Sequence, residues 1–242
     1  MKRRSLLRRG AFLLPVLGVF VLFLLIRLPA SFATLFLPPG IQLREVEGSF
    51  WNGRASAIGV GGLLVQEQVS WSFQPRALAG ARLAWAVGGR MGGETSRFEW
   101  ALGPRGAELN EVSLVLPLEP LAALHPQLKS ARLGAVLRVS AKSLGMDSPF
   151  AVLVAAEHVF SPLTPREFGS YRLDCKSAGG GRGDWQITTV SGALRVAGQG
   201  SFDLGQTKAG GRLTLTPQSP IPGLSPLLVS LPKAGNGFVV SF

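Results

Sequence analysis

Cysteine, tyrosine and histidine are almost missing from this 242-residue chain. A single cysteine, Cys175, excludes an intrachain disulfide. It lies in phase with Tyr171 and Leu173, the pattern of a buried structural thiol. The two histidines are His125, between Leu124 and Pro126, and His158, between Glu157 and Val159. Neither has partners at a metal-ligand spacing, so no metal and no cofactor are expected. Nucleophile elbows, phosphate loops and H-E-x-x-H helices are absent, which argues against an enzyme. One tyrosine and no basic cluster on any expected face exclude a nucleic-acid surface. Acidic residues are scarce, 14 against 25 basic, for a net charge of +11. Removing Lys2, Arg3, Arg4, Arg8, Arg9 and Arg27 leaves about +5, so the basicity belongs mostly to the N-terminus.

Long apolar runs are also lacking, with one exception. Ala11–Ile26 carries no charged or strongly polar side chain. A helix over those residues is about 24 Å long, and about 28 Å with Gly10, Arg27 and Leu28 included. That approaches the roughly 30 Å of a hydrocarbon core, with the Arg27 head snorkelling outward. The expected organisation is a basic cytoplasmic tail at 1–10, a transmembrane anchor at 11–28 and a linker at 29–40. A periplasmic β domain then fills 41–242. Lys2, Arg3, Arg4, Arg8 and Arg9 set the orientation, with the N-terminus in the cytoplasm of a bacterial inner-membrane protein. A cleaved secretory signal ending near Ser31-Phe32-Ala33 is the competing reading. Arg8-Arg9 also faintly echoes a twin-arginine signal.

Strict alternation dominates after Gly40. Leu63, Val65, Val69, Trp71 and Phe73 read as one face, against Gln66, Gln68, Ser70, Ser72 and Gln74. Leu83-Trp85-Val87, Phe98-Trp100-Leu102, Leu133–Ala141 and Leu194–Leu204 repeat the pattern. Period-two runs predict half-buried antiparallel strands. Turns are expected at Gly88-Gly89, Gly103-Pro104, Gly179–Gly183 and Gly210-Gly211. Gly198 and Gly200 predict strong bending or a tight hairpin between 192 and 205. Pro117–Lys129 and Pro217–Lys233 break the alternation and read as short helices, the second at Leu224–Leu231. Together they suggest a weak duplication, 41–129 and 130–235. The fold class is therefore mainly β. One N-terminal transmembrane helix precedes a large curved antiparallel sheet (open, half-rolled or sandwich) with one or two short helices.

Three small patterns invite functional readings. Arg182-Gly183-Asp184 spells an adhesion tripeptide but reads as a solvated turn. Glu45 and Glu47 alternate onto one strand face and could pose as paired carboxylates. Gly48, Trp51, Asn52 and Gly53 are more distinctive: a strand end, a tight turn at Asn52-Gly53, then a new strand at Arg54. Val69-Ser70-Trp71 follows. Trp51 and Trp71 are either core aromatics on neighbouring strands or docking anchors.

Taken together, the pattern resembles protein N of the type II secretion system, the GspN family of the general secretion pathway. Gly48, Trp51, Gly53 and Ala55 match a G-x-x-W-x-G-x-A-like motif. Val69 and Trp71 match a Val-x-Trp strand. Gly192, Leu194, Gly198 and Gly200 match a later Gly-rich strand pair. The resemblance implies an accessory inner-membrane subunit that helps to export folded periplasmic proteins through the outer membrane. Its implied partners are other secretion subunits. The alternative is a single-span envelope protein whose apolar β groove binds or transfers lipid or glycolipid.

Overall fold

The fold was obtained as a computed structural model. It describes residues 16–37, 40–104, 106–123, 132–162, 164, 166–206, 208–218, 232–235 and 237–241. Residues 16–26 form a helix, α1. Ten of its side chains, Val16 to Ile26 apart from Gly18, are apolar and 45–68% exposed, so apolar surface runs all round it. No helix among the described residues is long and apolar enough to cross a membrane. Residues 11–15 of the expected anchor lie outside the described residues. The expected linker is not extended throughout: Ala30–Phe36 coils into a 3-10 helix and Ala30 is 2% exposed.

Among the described residues, fifteen strands follow in a single sheet. Its N-terminal half holds β1 (Ile41–Arg44), β2 (Glu47–Gly48), β3 (Asn52–Val60), β4 (Leu63–Phe73), β5 (Leu83–Met91), β6 (Glu94–Gly103) and β7 (Gly106–Pro117). A short helix, α2 (Leu118–Ala123), leads on. The second half holds β8 (Gly134–Gly145), β9 (Phe150–Phe160), β10 (Gly169–Gly179), β11 (Arg182–Ser191), β12 (Leu194–Asp203) and β13 (Lys208–Pro217). Two short strands end it, β14 (Lys233–Ala234) and β15 (Gly237–Ser241). From β3 to β13 each strand pairs antiparallel with the next. The sheet is open, with β1 at one margin and β14 at the other. Fifteen twisted strands cannot stay flat. The sheet curls until Leu204, beyond β12, lines the same cavity as Ile41 on β1.

Several turn and helix expectations need correction. Gly88-Gly89 lies inside β5, and the turn falls at Gly92-Gly93, both at positive φ. Gly210-Gly211 lies inside β13. Residues 192–205 form no hairpin, because β12 is one continuous strand. The helix expected over Pro117–Lys129 is limited to α2 among the described residues, since 124–131 lie outside them. The helix at Leu224–Leu231 and His125 also fall outside. Gly103 ends β6 and Pro104 follows in the turn to β7, and the β10–β11 hairpin turns at Gly180-Gly181.

The face assignment along β4 is the largest correction. Gln66, expected outside, is 7% exposed, whereas Leu63 and Leu64 are exposed. Gln68 adopts φ 49°, and the register with β5 slips between Glu67 and Ser70. One extra residue reverses which side chains face inward. Glu111 on β7 and His158 on β9 also take positive φ where register slips nearby. A cluster of Val159, Phe168, Tyr171 and Leu194 forms the core of the second half.

Candidate functional site

The Gly48–Trp71 segment builds a joint between α1 and the sheet. Gly48 pairs with Gly53, and the connection between β2 and β3 is the loop Ser49–Trp51. The expected turn at Asn52-Gly53 is therefore displaced: both residues already belong to β3. Ser49 closes the loop instead, its amide donating to the Asn52 carbonyl at 2.8 Å while Asn52 N–H donates to Ser49 Oγ at 3.0 Å. Gly48 has φ 91°, and a Cβ there would meet Asn52 O at 2.6 Å. Hence glycine opens the motif.

Phe50 and Trp51 sit at the loop tip and reach toward α1. Trp51 Nε1 donates to the Leu25 carbonyl at 2.7 Å, and Phe50 N–H donates to the Leu28 carbonyl at 2.9 Å. Carbonyls near a helix C-terminus lack intrahelical donors, so an outside donor is favourable there. Pro29 adds a bridge to Ser49. Trp51 thus links the loop to α1. On β4, Trp71 Nε1 donates to the Phe50 carbonyl at 3.1 Å. Its ring lies on Gly53, where an added Cβ would stand 2.3 Å away.

An aromatic stack extends inward from this joint. Trp51 and Trp85 are near-parallel, with centroids 6.1 Å apart, and Trp85 stacks on Trp100 at 5.0 Å. Phe50 and Phe73 meet Trp85 at 5.3 and 5.5 Å. Sequence alternation placed Trp85 and Trp100 on the apolar face but gave no sign of the stack. Beside it lies a cavity of about 640 Å³ lined by Phe50, Trp71, Trp85, Phe98, Trp100 and residues around them, Leu109 and Leu144 among these. Glu108 is the one charged residue lining it among the described residues, and it sits near Arg82 at 3.9 Å. Among the described residues, two buried side-chain polar atoms have no hydrogen-bond partner, Trp85 Nε1 and Gln66 Oε1.

The second Gly-rich motif uses the same device. Gly192 and Gly169 approach so closely that a Cβ on Gly192 would lie 2.2 Å from Gly169 Cα. Leu194 is buried in the core, and its carbonyl accepts from Tyr171 Oη at 2.9 Å. Burial pushes the Tyr171 hydroxyl pKa up to about 12. Trp185 lies over Gly200 and Gly211, where added Cβ atoms would sit 2.7 and 2.3 Å from its ring.

β1 ends at Arg44, so Glu45 lies outside the strand, and Glu47 is tied to Arg54 at 2.8 Å. Arg182 starts β11 and pairs with Asp203 at 2.9 Å, so the tripeptide is strand rather than turn. His158 Nδ1 lies 3.0 Å from Glu167 Oε2. Burial, then the Asp174 charge, raises the Cys175 thiol pKa. No group of three or more metal-capable side chains occurs among the described residues.

The family model of the type II secretion system (T2SS), protein N, matches residues 39–239. The chain belongs to the T2SS protein N family. The match spans β1 through most of β15, so both Gly-rich motifs lie within the family region, as do the cavity's lining residues other than Ala33 and Leu37. The protein is accordingly a type II secretion system component, and that family is a secretion subunit rather than a known enzyme family. Comparison with curated proteins and with solved structures returned no match.

Proposed function

We propose that this T2SS protein N is an accessory inner-membrane subunit that docks other secretion subunits in the periplasm. In that role it serves the export of folded periplasmic proteins through the outer membrane. Family membership over residues 39–239 carries this reading. The membrane placement is supported by the five cations at Lys2, Arg3, Arg4, Arg8 and Arg9, and by the apolar surface all round α1. Periplasmic placement of the sheet follows from that orientation.

Docking by strand addition is supported by the sheet margin. β1 pairs with β3 on one side and with no strand on the other among the described residues. A free margin offers backbone donors and acceptors to a partner strand. Gln42 and Arg44 are exposed there. The test is a photo-crosslinking amino acid placed singly at Gln42, Arg44 or, mid-sheet, at exposed Thr188 on β11. Adducts with secretion subunits from the two β1 positions, and not from Thr188, are expected. Adducts from Thr188 alone would rule out docking at this margin.

A further inference from the structure

We propose that the cavity beside the aromatic stack holds an acyl chain of a bilayer lipid. Four observations point there. The volume, about 640 Å³, falls within the roughly 300–1,000 Å³ of small-ligand sites. Almost every lining group is apolar, and the one charged residue, Glu108, also accepts from Ser148 Oγ at 3.4 Å and faces Arg82. An apolar hollow of this size facing water is unfavourable, and it favours an apolar occupant.

The third observation is position. Ala33 and Leu37, in the segment that leaves α1, line the cavity, and Phe50 reaches both the cavity wall and the Leu28 carbonyl. The hollow therefore opens where the chain leaves the apolar helix. This step rests on the membrane placement of α1 proposed above. A chain withdrawn from the outer leaflet would pass from one apolar medium to another.

The fourth observation is the indole of Trp85. The residue is 4% exposed, and its Nε1–H has no acceptor among the described residues. A buried indole N–H ordinarily has a partner, and leaving one unpaired is costly. An ester carbonyl at the head of the acyl chain supplies such an acceptor. A polypeptide side chain from a partner would be no less apolar, but it would arrive from the periplasm rather than from the bilayer.

The full-length chain is reconstituted in vesicles of phosphatidylethanolamine and phosphatidylglycerol. A trace of phosphatidylcholine carries a diazirine at the end of one acyl chain. After irradiation, adducts are mapped by mass spectrometry. Adducts on β7 and β8, around Leu109 and Leu144, are expected besides those on 16–26. Ala107→Phe, which fills the cavity from an exposed lining position, should reduce the sheet adducts about tenfold while leaving those on 16–26 unchanged. Leu109→Glu, which places a charge in the cavity, should do the same. Wild-type adducts confined to 16–26 would overturn the proposal whatever the variants do. Sheet adducts that persist in both variants would also overturn it. Adducts on 16–26 report insertion of α1 and adducts on the sheet report the cavity, so the two readings fail separately.

Discussion

At Gly53 the backbone of β3 runs directly beneath the Trp71 ring, with 2.3 Å between that ring and any added Cβ. Gly88, on β5, shares the residue type but not the crowding: its nearest neighbour would be Ser96 O at 3.7 Å. Gly53→Ala is therefore expected to cost about 1–3 kcal/mol by overpacking. Gly88→Ala is expected to be neutral or to stabilise by up to about 1 kcal/mol, because alanine narrows the unfolded ensemble. Chemical denaturation of both variants checks the contrast, and equal costs would contradict it. The sequence picks out Gly48, Trp51, Asn52, Gly53 and Trp71 as a set, yet it misplaces their turn. Asn-Gly carries a strong local turn signal, and only the Ser49–Asn52 exchange shows where the chain reverses. The Trp51–Leu25 bond spans 26 residues and leaves no local trace.

Among the elements, the long strands were legible because alternation needs only nearest-neighbour periodicity. Their bulges were not. Gln68, Glu111 and His158 are ordinary polar residues in the sequence, and nothing local announces their positive φ. Each added residue reverses the faces along part of a strand, which is why Gln66 ends up inside. Gln66 then donates to the Val115 carbonyl, and Ser96 Oγ accepts from Val115 N–H at 2.9 Å. Glu111, exposed and at φ 49°, offers a clean test of the bulge. Glu111→Val places a β-branched side chain in the left-handed region and should cost about 1–3 kcal/mol. Glu111→Gly should cost nothing or stabilise. A valine variant as stable as the glycine one would mean that β7 carries no bulge there.

For the whole molecule, the sheet's openness and curl could not be read from the chain. An apolar strand face looks the same whether it ends as core, groove or interface. Ion pairs between strands, and one within β10, tie exposed side chains together. Arg138 bridges Glu94 and Glu157, Arg172 holds Asp174, and Arg182 holds Asp203. The guanidinium bonds keep the Glu94, Asp174 and Asp203 carboxyls below their usual range. Their contribution is complete above the ordinary carboxylate pKa and fades as the pH falls through the depressed values. The denaturation midpoint should therefore drop from neutral to acid pH. The drop should be modest, because these pairs are exposed to solvent. A midpoint that rises on acidification would contradict this.

Family membership makes the protein a secretion-system component, and docking through the sheet is the central proposal built on it. The most direct measurement is purification of the full-length chain from its own membranes in mild detergent, with mass spectrometry of the proteins that accompany it. Identified secretion-system subunits should co-purify, and they should be lost when residues 40–242 are deleted and the anchor is kept. Retention of those subunits by the anchor alone, or their absence from the full-length preparation, would contradict the account.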